Sequence, residues 1–267
     1  MNRLDDRVAI VTGAGNGIGR AIAHRLAAAG ASVAVSDVSE PDAGKVAREI
    51  GEAGGRAIAV RADVADAAQA EHLVAATAGT WGRLDILVNN AGVGGPKGRL
   101  HEVEPADFDR VLDVNLRGTF LCSKYALVHF LDQGDGRVVN IASTYGLIGA
   151  PQAPAYCATK GGIINLTRQM AVDYGGDGIR VNALCPGYID TALGARGRRL
   201  PPEAFAEATA VREAAARRQP LGRQGTPDEV AEVAVFLASD AASFMTGSVV
   251  TVDGGCVTTF NYGEAGN

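Results

Sequence analysis

The chain has 267 residues, 47% of them hydrophobic, which is ample for a sizeable core in one large domain or two small ones. A net charge of -5 and a pI near 5.4 lack the basic excess of nucleic-acid or anionic-membrane binders, so neither partner is expected. Cys122, Cys157, Cys185 and Cys256 form no C-x-x-C pair and the four histidines no H-E-x-x-H set, so neither a bound metal nor a disulfide framework is expected.

The N-terminal stretch MNRLDDRVAIVTG reaches Gly13 after four apolar residues, too few for a secretion signal, and no later run approaches a membrane span. A cytoplasmic protein with reduced thiols is the expectation. From Val8 onward, short β-branched runs alternate with longer amphipathic ones. VAIV is followed by a helix to about Ala29, and SVAVS by a helix around Lys45 to Ala53. RAIAV precedes a helix from about Asp66 to Thr80, and DILVN a long helix from Pro105 to Leu131. Then come RVVNIA, a helix around Tyr156, RVNALCP and finally SVVTVDGG. The alternation predicts an α/β fold: one doubly wound parallel sheet of about seven strands, Rossmann-type, with helices on both faces and no linker between domains.

The first strand ends in TGAGNGIG, with a helix immediately behind it. Glycines at 13, 15, 17 and 19 let the backbone turn tightly and approach a pyrophosphate, which the free N–H groups of a helix N-terminus attract. The spacing is not G-x-G-x-x-G, and a glycine loop alone is compatible with many tight turns. The second strand ends at Asp37, where a dinucleotide fold needs an acceptor for the adenosine ribose hydroxyls. A carboxylate there repels a 2′-phosphate, and no Arg or Lys follows before Lys45, so NAD is favoured over NADP.

Asp63-Val64 and Asn89-Asn90-Ala91-Gly92 fall after the third and fourth strands, at the carboxyl ends where open α/β sheets bind ligands. The Pro105–Leu131 helix is apolar round most of its circumference, which predicts burial on several sides and a subunit interface. Asn115 lies within it, on the line of Phe108, Leu112, Thr119 and Cys122, and a buried amide there needs partners. Tyr156 and Lys160 are four residues apart, on one helix face. An ammonium beside a phenol favours the phenolate, so a Tyr that ordinarily titrates at about pH 10 can exchange its proton near neutrality. Ser143, just after an apolar strand, offers a hydroxyl to the same spot.

Taken together, these motifs resemble the short, single-domain branch of the short-chain dehydrogenase/reductase family over nearly the whole chain. The resemblance rests on TGAGNGIG, Asp63-Val64, NNAG, Asn115, Ser143, Tyr156 and Lys160, Pro186-Gly187 with Thr191, and VTVDGG. It implies hydride transfer between a secondary alcohol and a nicotinamide. Tyr156 would be the general acid/base, Lys160 would lower its pKa and bind the nicotinamide ribose, Ser143 would hold the substrate oxygen, and Asn115 would hold a helix kink and a water. It also implies that Gly13, Asn16, Gly17, Ile18 and Gly19 face the pyrophosphate, Asp37 and Val38 the ribose, and Asp63 and Val64 the adenine. Asn90, Ala91 and Gly92 would line the cleft, as would Pro186, Gly187 and Ile189, and Thr191 would hold the carboxamide. A homotetramer is implied as well.

A substrate lid is expected at about 188–218, with Arg196, Arg198, Arg199, Arg217 and Arg218 on a charged surface. Tyr145, Gln152 and Tyr188 offer hydrogen bonds beside apolar wall, which suits a small polyol, a sugar or a cyclic hydroxyketone. Two alternatives stand beside this reading. One is a 3-oxoacyl-(acyl-carrier-protein) reductase, which Asp37 disfavours, and the other a non-catalytic nucleotide-binding sensor, which the intact Tyr and Lys disfavour.

Overall fold

The computed structural model describes residues 4–191, 203, 210–211, 213–217 and 219–258. Seven strands alternate with helices. The first half runs β1 (Val8–Thr12), α1 (Gly17–Ala28), β2 (Ser32–Asp37), α2 (Glu40–Glu52), β3 (Arg56–Arg61), α3 (Ala67–Trp81) and β4 (Ile86–Asn89). It continues with α4 (Pro105–Leu112), α5 (Gly118–Gln133), β5 (Gly136–Ile141), α6 (Pro154–Tyr174), β6 (Ile179–Pro186), α7 (Pro227–Ala238) and β7 (Val249–Val252).

The strands lie in the order β3-β2-β1-β4-β5-β6-β7, every neighbouring pair parallel. The chain winds outward from β1 to β3, then crosses back to β4 on the other side of β1. That reversal opens a crevice above the carboxyl ends of β1 and β4, where such sheets bind ligands. Every residue of β1, β4 and β5 is buried, as strands covered by helices on both faces must be.

Two helical layers cover the sheet. On one face α1, α2 and α7 pack Ile22, Leu26, Val46, Ile50, Val230 and Leu237 against β1, β2 and β4. On the other, Leu73 and Val74 of α3, Leu121 and Phe130 of α5 and Met170 of α6 close a second core. Burying one such side chain contributes about 1.5–3 kcal/mol, so apolar burial holds both layers. At the lower rim, the fully buried Asp85 carboxylate accepts from Arg7, Arg83 and the Val8 N–H, joining the starts of β1 and β4.

The Pro105–Leu131 helix is interrupted, where the resemblance implied a kink, by a π-helical turn over Asp113–Arg117 with Asn115 at its centre. It is also less enclosed than its composition predicts: Phe120, Val128 and Leu131 stand exposed. Helix α7 was not anticipated, although Thr226 and Glu229 form a reciprocal N-terminal cap that is legible as T-P-D-E. The lid at 188–218 lies largely outside the described residues, including Arg196, Arg198, Arg199 and Arg218.

Candidate active site

The turn after β1 is built to bring backbone close to a ligand. Gly13 has φ +60°, and a Cβ there would lie 2.8 Å from the Ala91 Cα. At Gly19 a Cβ would come within 2.4 Å of both Asn90 Nδ2 and Gly13 O. Larger residues at either position would push β1, α1 and the β4 loop apart. Helix α1 begins at Gly17 with no side-chain cap from Asn16 and no acidic residue in its first turn, so its positive end faces the crevice uncompensated. A cavity of 410 Å³ runs from there along α1, between Asn16, Gly17, Arg20, His24, Asp190, Thr191 and Asp228. The glycine turn and the helix end, rather than this acid-lined cavity, fit a bound pyrophosphate.

The Asp37 carboxylate, at the end of β2, accepts from the Gly15 N–H at 2.9 Å and the Ser39 N–H at 3.0 Å. It thereby ties the glycine turn to β2, and Val38 beside it is 59% exposed. Asp63 Oδ1 accepts from the Ala65 N–H at 3.0 Å. The Val64 side chain is buried against Gly118, which leaves its backbone as the part able to meet an adenine.

After β4, Asn90 points inward. Its Nδ2 donates to Thr12 O at 2.9 Å and Gly13 O at 3.0 Å, while the Asn90 and Ala91 N–H groups donate to Thr12 Oγ1. Asn90 is thus a brace for the glycine turn, and Thr12 is a supporting residue to which sequence reasoning gave no role. Behind them Asn89 donates to Ser123 Oγ and Asn140 Oδ1, and Asn140 to Thr167 Oγ1, a buried polar ladder that periodicity cannot reveal.

The π-helical turn aims Asn115 at the next segment. Asn115 Oδ1 accepts from the Val93 N–H at 2.8 Å, and Nδ2 donates to Val93 O at 3.0 Å and Thr159 Oγ1 at 3.2 Å. Both backbone groups of Val93 are therefore clamped. Gly92, just before it, has space for a Cβ only 3.2 Å from Asn115 Oδ1 and 3.7 Å from Lys160 Nζ.

Ser143 follows β5, buried, with its Oγ accepting from the Tyr145 N–H at 3.1 Å. Gly146 brings this turn against α6, where a Cβ would lie 2.6 Å from the Lys160 carbonyl carbon. From α6, Lys160 Nζ donates to Ile141 O at 2.7 Å and lies 5.6 Å from the Tyr156 ring centroid. Burial lowers the Lys160 pKa to about 8. The Tyr145 ring stands edge-on to that of Tyr156 at 6.2 Å. The structure thus gathers Ser143, Tyr156 and Lys160 above β5, with Gly92 and Asn115 alongside.

The loop after β6 completes the crevice. The Gly187 N–H donates to Val252 O, Ile189 is buried and pairs with Gly225, and Thr191 lies across from α1, its Cγ2 3.6 Å from where a Gly17 Cβ would be. Pro186 ends β6 itself. Among the described residues no group of His, Cys, Asp and Glu is arranged to hold a metal ion.

The chain is similar to known proteins over nearly its whole length. Residues 13–257 match the family model described as enoyl-(acyl carrier protein) reductase. Cis-4-hydroxycyclohexanecarboxylate dehydrogenase from Sinomonas cyclohexanicum is 48% identical over 250 residues, covering 94% of this chain and 96% of that protein. The solved structure of levodione reductase superposes with a TM-score of 0.91 at 39% identity, over 97% of this chain and 100% of that one. A gluconate 5-dehydrogenase from Burkholderia cenocepacia J2315, solved with NADP and tartrate, has a TM-score of 0.86 at 36% identity, over 97% and 98% of the two chains. With the glycine turn, the β1/β4 crevice and the Ser143, Tyr156 and Lys160 constellation in one chain, the protein belongs to the short-chain dehydrogenase/reductase family and is an oxidoreductase of CH–OH groups.

Proposed function

We propose that the protein is an NAD-preferring dehydrogenase/reductase that interconverts a small secondary alcohol, polyol or cyclic hydroxyketone with its oxidised partner, with Tyr156 as general acid/base. The observation that carries this reading is the buried Lys160, hydrogen-bonded two residues before Ser143 and on the same face of α6 as Tyr156. A bound nicotinamide supplies or accepts the hydride. The chain's own work is proton transfer and placement. Tyr156 Oη takes the alcohol proton in oxidation and returns it to the carbonyl oxygen in reduction. The Ser143 hydroxyl donates to the substrate oxygen as charge gathers on it. Lys160 holds positive charge beneath the phenol, and its pKa of about 8 lets it exchange protons near working pH.

Asn115 fixes Val93 and, through the adjacent Gly92, the floor beneath Lys160. Gly13, Asn16, Gly17, Ile18 and Gly19 would take the pyrophosphate, Asp37 and Val38 the adenosine ribose, and Asp63 with the Val64 backbone the adenine. Ala91, Gly92, Pro186, Gly187, Ile189 and Thr191 would line the nicotinamide half. The Asp37 carboxylate and the uncharged Val38 support NAD, whereas the Burkholderia relative was solved with NADP. The chain would act as one catalytic domain.

Association into a homotetramer is part of the same proposal. Phe120, Val128 and Leu131 form an exposed apolar stripe along α5, and Val172 on α6 is 82% exposed. Four unpaired thiols and the lack, among the described residues, of any helix able to cross a membrane are compatible with a cytoplasmic location.

A panel of secondary alcohols and ketones, followed by nicotinamide absorbance with NAD(H) and NADP(H), tests the reading. Turnover on small alcohols with a preference for NAD supports it. Turnover confined to an acetoacetyl thioester with NADPH would instead favour a 3-oxoacyl-(acyl-carrier-protein) reductase.

A further inference from the structure

Proton transfer at Tyr156 leaves two neighbouring phenols without a task. Tyr145 and Tyr188 meet oxygen to oxygen at 3.2 Å. The Tyr145 ring stands edge-on to Tyr156 at 6.2 Å and 86°, and edge-on to Tyr188 at 6.5 Å and 87°. The pair therefore sits one ring beyond the reacting phenol, with the Tyr145 ring adjoining both Tyr156 and Tyr188.

Its supports are fixed. The Tyr145 N–H donates to Ser143 Oγ at 3.1 Å, and the Tyr188 carbonyl accepts from the Gly225 N–H at 2.9 Å. Both residues are half-buried. Burial, followed by the bond to Tyr188, pushes the Tyr145 phenol pKa up, so it stays neutral at any working pH.

A phenol carries one O–H donor and acceptor lone pairs. Two phenols sharing one hydrogen bond use a single donor between them, which leaves a second O–H and acceptor capacity. A hydroxyl ligand can use both, whereas a carboxylate uses only the donor.

We infer that the Tyr145–Tyr188 pair is a second polar anchor, which holds an uncharged substrate oxygen remote from the reacting carbon. This rests on the alcohol dehydrogenase reading and narrows its substrate class to ring diols and hydroxyketones over compounds with one oxygen. Tyr145 and Tyr188 are thus specificity-determining contacts, and the edge-on Tyr145 ring sets their offset from Tyr156.

The test compares kcat/KM of the wild type, Tyr145→Phe and Tyr188→Phe on cyclohexanol, the isomeric cyclohexanediols and 4-hydroxycyclohexanecarboxylate. Phe keeps each ring contact and removes only the hydroxyl. The wild type should prefer at least one diol to cyclohexanol, and each variant should lose about tenfold more on that diol than on cyclohexanol, mainly through KM. Equal losses on both substrates, or none, overturn the anchor. A larger loss on the hydroxycarboxylate than on any diol overturns its assignment to an uncharged oxygen. A wild type that oxidises cyclohexanol without favouring any diol overturns the anchor and leaves the dehydrogenase reading standing. A wild type inactive on the whole panel with both cofactors overturns the assignment to ring substrates, and turnover of an acyclic secondary alcohol would then leave the dehydrogenase reading standing.

Discussion

Lys160 reaches 2.7 Å to the carbonyl oxygen of Ile141, across the gap between α6 and β5, and is buried in doing so. This one hydrogen bond fixes where the helix that carries Tyr156 sits relative to the strand that ends beside Ser143. It also has a thermodynamic consequence. The Lys160 pKa in the folded chain is about 8, below that of an exposed lysine, so the folded state binds this proton more weakly than the unfolded state does. The penalty is carried in full below about pH 8 and relieved as pH rises toward the unfolded value near 10.4. Lys160→Met removes this dependence, at the cost of an unsatisfied Ile141 carbonyl of about 1–3 kcal/mol. The cofactor-free variant should gain on the wild type at pH 7 relative to pH 10, by up to about 3 kcal/mol. Urea midpoints at the two pH values check this, and parallel behaviour of the two proteins would contradict a depressed lysine. Turnover should be lost in the same variant.

Tyr156→Phe separates chemistry from architecture. The ring, and with it the edge-on contact to Tyr145, is retained, so stability should change by less than about 1 kcal/mol. The hydroxyl that exchanges the proton is gone, and kcat should fall by about 10²–10⁴. NADH affinity, read from cofactor fluorescence, should stay within about threefold, because the proposed nucleotide contacts come mostly from the glycine turn, Asp37 and Asp63 and not from the lost hydroxyl. Retained turnover would remove Tyr156 as the acid/base.

The strands were legible because this sheet is covered on both faces, so β1 and β4 appear as apolar runs, VAIV and ILV, while β5 carries Arg137 and Asn140 among its apolar residues and buries both. The positions of Gly13, Asp37, Ser143, Tyr156 and Lys160 follow from strand ends and helical spacing. The direction a polar side chain takes does not. Asn90 reads as a cleft residue and turns inward to hold Thr12 and Gly13. The π-helical turn at Asp113–Arg117 leaves no compositional mark, since one extra residue per turn barely disturbs a helical pattern that is apolar on most sides. Tyr145 and Tyr188 were named from the sequence as hydrogen-bonding groups, but that their hydroxyls meet was not legible, because they are 43 positions apart and come together only through the fold.

Asn115→Ala should damage both fold and activity. It leaves the Val93 N–H and carbonyl and the Thr159 hydroxyl without this partner, at a cost of about 2–4 kcal/mol in the denaturation midpoint. Because Gly92 lies against Lys160, kcat should fall more than KM rises. Asn115→Asp keeps the acceptor for the Val93 N–H and should recover part of the stability. If the two variants are equally unstable, the Val93 clamp is not what Asn115 contributes.

Asp37 has two jobs that one substitution can separate. Its carboxylate braces the glycine turn through Gly15 and would repel a 2′-phosphate, so Asp37→Ala should weaken NAD binding by loss of the brace and of a ribose acceptor. For NADP the lost brace is offset by the lost repulsion. The ratio of NAD to NADP affinity should therefore narrow by about tenfold, or ~1.4 kcal/mol. Adding Val38→Arg, at a side chain already 59% exposed beside the turn, places a cation where the 2′-phosphate would lie and should invert the preference. Isothermal titration of the wild type, Asp37→Ala and the double variant with both oxidised cofactors checks each step. An unchanged ratio in Asp37→Ala would mean that the carboxylate only supports the turn, and that cofactor choice is made elsewhere in the crevice.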